Sequence, residues 1–213
     1  MRHIVHGIFA IVCACAIAAC GPSEADLAKA KAAAEAKAAA DAKDAADRAT
    51  ALAKLAADRL VALWLYQSEP VPGGAQITAQ IRARDNVDTD GSGAKGVRLI
   101  FRDHPSWGRS AYLVLNAGDF DCYAGCSLNV TVDDRPVKKM AGRRPKTDEA
   151  IAMFINDWQS LWKMTSGGRL LTIEFPVKAG GTRTAVFEIG GLDRTKMPKW
   201  DALTGTPAPA KAS

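Results

Sequence analysis

Histidine is scarce in this chain, with three in 213 residues. Two of them lie among the first ten residues, so His104 is the only histidine in the remainder. Histidine is the side chain that general acid–base catalysis uses most often. The chain also lacks the G-x-S-x-G, H-E-x-x-H and P-loop motifs. We therefore expect no enzyme, and we interpret His104, which precedes Pro105, as a turn residue.

Two pairs of acidic residues lie where turns are expected. Glycosidases use a pair of carboxylates, and the candidates here are Asp119/Asp121 and Asp133/Asp134. Their turn-like contexts instead favour hydrogen bonds between the carboxylates and the backbone. The segment 86–91 begins like a calcium loop, yet Val97 occupies the twelfth position, where an EF-hand needs Glu. We expect no metal site, and a looser calcium site at this turn stays open as an alternative.

A long hydrophobic run is also missing. Residues 4–19 are apolar, but the run is too short and too interrupted to span a bilayer. It follows a weakly positive start, as in a secretory signal peptide, which we assign to residues 1–19. The whole chain is 48% hydrophobic and 24% charged, with a net charge of +5. These values exclude a polytopic membrane protein, a collagen and a wholly disordered chain.

The end of the apolar run carries a sharper signal. Ile17-Ala18-Ala19-Cys20-Gly21 resembles the bacterial lipobox, in which an aliphatic and two small residues precede a cysteine that is acylated. The resemblance implies a covalent lipid on Cys20, with 20–23 as the lipidated N-terminus, and we expect no other cofactor. Gly21 stands where inner-membrane retention needs Asp, so we favour the periplasmic face of the outer membrane over the inner membrane. Ordinary secretion is the alternative.

The remaining cysteines point to a disulfide bond. Of five Cys, Cys13 and Cys15 leave with the signal peptide and Cys20 carries lipid, which leaves Cys122 and Cys126. In an oxidising compartment an even pair is expected to bond. A zinc site needs four ligands, and the chain has only one histidine outside the signal peptide. The spacing between Cys122 and Cys126 is one residue too long for a C-x-x-C redox motif.

An alanine-rich segment follows the lipobox. Residues 24–63 contain nineteen Ala, no Gly and no Pro, with seven basic and seven acidic residues. Strong helix formers without breakers predict one long helix, which we interpret as a stalk. Leu52, Leu60 and Leu63 fall on one face, which could pack on the domain or form a coiled coil with a second copy. A partly frayed spacer is the alternative.

Beyond Trp64 the periodicity changes to that of strands. Short alternating runs are separated by turn residues such as Pro72-Gly73-Gly74, and residues 170–177 and 184–189 form the clearest hairpin. A helix is predicted after Asn156 as N-cap, with Gln159 three residues later. We predict a mainly β, antiparallel, sandwich-like domain with one short helix over 64–202, and a disordered tail over 203–213.

The run from Leu99 to Trp200 contains several short motifs. They are Arg102-Asp103-His104-Pro105 with Gly108, Gly118-Asp119-Phe120-Asp121-Cys122 with Cys126, Val130-Thr131-Val132-Asp133-Asp134, Phe154-Ile155 and Phe187-Glu188-Ile189-Gly190-Gly191-Leu192. Together they resemble a small periplasmic domain of proteobacterial lipoproteins, a family without an assigned activity. The resemblance implies a β-rich fold and an envelope location.

A basic cluster is the most unusual surface feature predicted from the sequence. Its six cations fall within twelve residues: Arg135, Lys138, Lys139, Arg143, Arg144 and Lys146. They indicate an acidic partner, such as a protein or an envelope polymer, while a solvated hairpin edge is the alternative. The predicted compartment disfavours nucleic acid. Trp107 and Tyr123, in apparent loops, are further contact candidates, whereas Trp158 and Trp162 are expected in the core.

Two functions fit these features. The first is an envelope-anchored lipoprotein that presents a non-catalytic binding or structural domain. The alternative is an inhibitor or immunity lipoprotein that neutralises a toxic periplasmic enzyme, for which a rigid tethered domain is equally suitable.

Overall fold

The protein is described by a computed structural model over residues 23–145 and 151–201. The predicted signal peptide 1–19, Cys20, Lys146 and the tail 203–213 lie outside these residues. In the part described, no helix is both long and apolar enough to cross a bilayer. The chain divides into two compact units, Met1–Ala51 and Leu52–Ser213.

The first element is the helix α1 (Glu24–Ala62), 39 residues long. Ser23 directly precedes it, and the Oγ atom of Ser23 accepts a hydrogen bond from the Asp26 amide at 3.3 Å. No side chain of α1 is buried, so strong helix formers rather than core packing favour it. Three ion pairs link its surface at i, i+4: Lys31–Glu35, Lys43–Asp47 and Lys54–Asp58. The predicted helix is confirmed, while its role as a stalk stays a proposal.

The second unit is built on an antiparallel sheet. Its nine strands are β1 (Trp64–Val71), β2 (Gly74–Arg82), β3 (Val97–His104), β4 (Gly108–Leu115), β5 (Cys126–Val132), β6 (Lys138–Arg143), β7 (Ala152–Ile155), β8 (Leu170–Pro176) and β9 (Thr182–Glu188). Their order in the sheet is β1-β2-β3-β4-β7-β6-β5-β8-β9. Every pair is antiparallel. The mainly β, antiparallel class predicted from the sequence is confirmed.

The described strands form one continuous sheet, whereas a sandwich has two. Just beyond β2, the Arg84 amide donates a hydrogen bond to the Val186 carbonyl of β9 at 2.7 Å. This bond joins the β2 side of the sheet to its far edge. The main hydrophobic core lies on one side of the sheet, and a smaller buried cluster of Ile100, Val114 and Ala152 lies on the other side.

Aromatic side chains fill one region of that core. The ring of Phe101 on β3 lies 5.1 Å from Trp162 and 5.4 Å from Trp200, between ring centroids. Trp162 comes from α2 (Trp158–Met164), and Trp200 comes from α3 (Pro198–Asp201). Trp162 is fully buried and Trp158 packs partly buried against the core, as expected from the sequence.

The start of α2 differs from the prediction by one residue. Asp157, rather than Asn156, is the N-cap, and its Oδ1 accepts a hydrogen bond from the Ser160 amide at 3.1 Å. The Asp157 carboxylate also accepts from Lys138 Nζ at 3.0 Å. A charged acceptor that already faces a cation satisfies the helix end better than the amide of Asn156.

Candidate interaction surface

The structure does not bring the predicted basic cluster together as one surface. Arg144 is buried, with 2% of its surface exposed. Arg135 donates to the carbonyls of Met164 and Ser166, and Lys138 is paired with Asp157. Of the described members, only Lys139 and Arg143 are exposed without a recorded hydrogen bond or ion pair. Packing thus gives Arg135, Lys138 and Arg144 contacts within the fold, while a binding role for the cluster stays a prediction.

Arg144 belongs to a structural cluster beside the disulfide bond. Its guanidinium lies 2.5 Å from Asp119 Oδ1 and 5.0 Å from the ring of Tyr123. Lys178 Nζ lies 2.9 Å from the other Asp119 oxygen and 4.4 Å from the same ring. Burial raises the pKa of Asp119, but hydrogen bonds from Lys178, Arg144 and Tyr123 outweigh it, so the pKa lies below its ordinary value. Asp119 therefore stays ionised and holds this loop.

Cys122 and Cys126 lie at disulfide-bonding distance. This confirms the predicted pairing. Cys122 is buried, and its carbonyl accepts hydrogen bonds from the amides of Gly125 and Arg144. Closing so short a loop contributes roughly 2 kcal/mol through the unfolded chain. The bond is thus placed to hold a turn, together with the Asp119 cluster.

The outer face of the sheet is a second cationic feature, and it is partly exposed. In strands, alternate residues point to opposite faces. Five adjacent strands, β2, β3, β4, β7 and β6, direct five cations away from the core: Arg82, Arg98, Arg102, Lys139 and Arg143. These five strands contain one carboxylate, Asp103, which is 7% exposed and points to the opposite face. The outer face of these strands is therefore cationic and free of acidic residues.

Aromatic rings surround Arg102 on this face. Its guanidinium carbon lies 5.3 Å from the ring centres of Trp107 and Tyr112 and 5.8 Å from that of Phe154. Its Nε donates to Ser110 Oγ at 3.2 Å. These contacts hold Arg102 without neutralising its charge. We call Arg102, Trp107, Tyr112, Phe154 and Arg143 the arginine–aromatic face.

Strand register explains how the face assembles. Tyr112 pairs with Ile100 on β3 and with Phe154 on β7, and Phe154 pairs with Arg143 on β6. Directly opposite residues in an antiparallel pair have side chains in contact. Burial raises the pKa of Tyr112, while Arg102 and Arg98 act to lower it. The Tyr112 hydroxyl therefore stays protonated at neutral pH and remains a hydrogen-bond donor.

Trp107 is the most exposed aromatic residue of this face, with 70% of its surface accessible. Its ring stacks on His104 at 3.9 Å between ring centroids. His104 Nδ1 accepts hydrogen bonds from the amides of Ser106 and Trp107 at 3.1 and 3.2 Å. His104 thus holds the turn between β3 and β4, and through this turn it fixes the position of Trp107.

Two further acidic residues, Asp88 and Asp133, cap turns. Asp88 Oδ1 accepts from the Gly91 amide at 2.7 Å, inside the segment that resembles the start of a calcium loop. Asp133 has φ +50° and accepts from the amides of Arg169 and Leu170. The hydrogen bond from Leu170 is the main cause that lowers the pKa of Asp133. Across residues 23–145 and 151–201, no three His, Cys, Asp or Glu side chains group as metal ligands.

The sequence analysis identified Trp107 and Arg143 as contact candidates, named Arg102 and Phe154 only among the residues that carry the family resemblance, and missed Tyr112. The feature that identifies this face is the absence of acidic residues from the outward-facing positions of adjacent strands. It can be recognised only when the order of the strands in the sheet is known. Comparison with protein-family models, curated proteins and solved structures finds no match to this chain. Fold and surface together define a class: an antiparallel β domain with an N-terminal helix and a cationic, aromatic outer face.

Proposed function

We propose that this protein is an envelope-anchored lipoprotein whose periplasmic β domain binds an acidic protein partner without catalysing a reaction. The lipobox-like residues around Cys20 support the anchor. A disulfide bond between Cys122 and Cys126 is in keeping with an oxidising compartment. The binding role is supported mainly by one observation, the arginine–aromatic face.

We include a spacer role for α1 in this proposal. Its 39 residues correspond to roughly 60 Å of helix at about 1.5 Å per residue. Basic and acidic residues balance along residues 24–63, so the helix offers no polycation to lipids. Exposed Leu52 and Leu55 support self-association through α1 as a further part of the proposal.

The composition of the arginine–aromatic face favours a protein over a lipid surface or a polysaccharide. Arg, Trp and Tyr are the residues most enriched among those that dominate protein–protein binding. Charge alone is enough to attract a polyanionic polymer, whereas this face also presents three aromatic rings around one guanidinium. A carboxylate of the partner can pair with Arg102 or Arg143 while its apolar atoms cover Trp107.

The test begins with capture of the partner from native membranes by the acylated protein. Lys139→Glu/Arg143→Glu changes two exposed cations of the outer face. We expect it to slow association about tenfold at low salt, because surface charge mainly steers encounter. Added salt should reduce the difference, since the screening length falls from about 10 Å at 0.1 M to 3 Å at 1 M.

Lys163→Glu/Lys196→Glu is the matched control, with the same change of net charge on exposed residues outside this face. We expect it to bind as the wild type does. Trp107→Ala should instead accelerate dissociation, because it removes an aromatic contact rather than charge. A captured partner that binds all of these variants at wild-type rates would refute the assignment to this face. If the domain suppresses an enzymatic activity of the partner, the same face serves the inhibitor function.

A further inference from the structure

We propose that a cleft beside the last turn of α1 binds a phosphoryl dianion through Arg82 and Arg98. The cleft has a volume of about 610 Å³, and its lining includes Arg59, Gln80, Arg82, Arg84, Arg98 and Glu188. This volume falls in the range of small-molecule sites, roughly 300–1,000 Å³. Four arginines and one carboxylate thus face one cavity.

Two of the four arginines are already paired. Arg59 donates from Nη1 and Nη2 to the two Glu188 oxygens at 3.0 and 2.7 Å. The hydrogen bond from Arg59 is the main cause that lowers the pKa of Glu188, so this carboxylate stays ionised. Arg84 Nε lies 3.0 Å from Asp85 Oδ2. These two pairs leave no net charge.

Arg82 and Arg98 are not compensated. No hydrogen bond or ion pair of the Arg82 side chain is recorded within the described residues, and Arg98 makes only a long contact of 3.5 Å to Gln80 Oε1. The two residues lie directly opposite each other on β2 and β3. Like charges in this position repel each other and destabilise the sheet. An anion between them would remove the repulsion.

A buried donor supports the same conclusion. Arg98 Nε is buried and has no hydrogen-bond acceptor among the described residues. Unsatisfied buried polar atoms are rare in folded proteins and often mark the place of an ion or water. Arginine presents its donors as a planar fork that suits phosphate oxygens. Two uncompensated guanidinium groups match a phosphoryl group, which carries a charge of about −1.5 to −2 at neutral pH.

This site is separate from the arginine–aromatic face and does not depend on the proposed protein partner. Arg98 precedes Arg102 by four residues on β3, a distance of about 13 Å along the strand. The phosphoryl group can belong to a soluble phosphate ester or to a phospholipid headgroup. Both sources share the chemistry that the cleft recognises.

Calorimetric titration of the acylated protein in a neutral detergent tests the proposal. The probes are glycerol 3-phosphate and short-chain dihexanoyl phosphatidic acid below its micelle concentration. We expect one site, with affinity reduced about tenfold or more in Arg98→Gln and in Arg82→Gln, since a charged hydrogen bond contributes about 1.5–3 kcal/mol. Arg98→Lys keeps the charge without the fork and should lie between Arg98→Gln and the wild type.

Glu188→Gln provides a gain-of-affinity test that misfolding cannot imitate. This substitution removes the negative charge of the cleft and releases Arg59, so both probes should bind several-fold more tightly than they bind the wild type. Lys163→Gln, on an exposed residue away from the cleft, should match the wild type. If the wild type binds glycerol 3-phosphate more tightly than dihexanoyl phosphatidic acid, the source of the phosphoryl group is a soluble ester. If it binds the phosphatidic acid more tightly, the source is a lipid headgroup. Failure of the wild type to bind either probe, or equal binding by wild type, Arg98→Gln and Glu188→Gln, would overturn the proposal.

Discussion

Arg144 shows how one buried contact changes the meaning of a charged residue. Its guanidinium is enclosed between the Asp119 carboxylate and the ring of Tyr123, and 2% of the residue is exposed. Its neighbour Arg143 is exposed and points outward, with no ion pair to another residue in the described part of the chain. Alternation along the end of β6 therefore separates two adjacent arginines into a structural residue and a surface residue.

We predict that Arg144→Gln lowers the free energy of unfolding by about 3 kcal/mol, because removing one partner of a buried ion pair leaves the other poorly compensated. Arg143→Gln is the matched control and should change stability by no more than about 0.5 kcal/mol. Urea unfolding with the disulfide intact measures both. Equal stability of the two variants would show that the Asp119 pair contributes nothing to the fold.

At the scale of elements, the last turn of α1 packs against a glycine that follows β9. A Cβ placed on the buried Gly191 would overlap the carbonyl group of Leu60 and the amide nitrogen of Val61. The backbone of α1 is thus in direct contact with the backbone of Gly191. The adjacent Gly190 differs, because a Cβ there would make ordinary contact with Leu60 Cδ1 at 3.5 Å.

The predicted consequence is that Gly191→Ala destabilises the second unit by about 1–3 kcal/mol, the usual range for overpacking. Gly190→Ala should have a much smaller effect. Thermal unfolding followed by near-ultraviolet circular dichroism compares the two variants. If Gly191→Ala unfolds at the same temperature as Gly190→Ala, the close contact with α1 does not exist in solution.

At the scale of the whole molecule, the proposed attachment to the envelope depends on Cys20. We predict that the wild type incorporates palmitate in metabolic labelling and fractionates with the outer membrane. Cys20→Ala should lose the label, because it removes the residue to which the lipid is proposed to be attached. Cys13→Ala, a cysteine change within the predicted signal peptide, is the control and should label normally. Labelling of Cys20→Ala at the wild-type level would refute lipidation at this residue.

Local patterns were sufficient for several features of this protein. The helix over 24–62 follows from alanine and other strong helix formers without Gly or Pro, since helix propensity acts along neighbouring residues. The antiparallel strands follow from alternation and turn residues. The pairing of Cys122 with Cys126 follows from the cysteine count once the three cysteines of the predicted signal peptide and lipobox are set aside. Each of these depends on residues close in sequence or on simple arithmetic.

The amino-acid sequence by itself thus determined the helix, the strands, their antiparallel class and the disulfide bond. Only the tertiary structure decided that the strands form one sheet, that Arg144 is buried, and that Arg102 lies among Trp107, Tyr112 and Phe154. The physical reason is distance along the chain. Residues such as Arg102 and Phe154 meet through strand register, and no local pattern records which strand lies beside which.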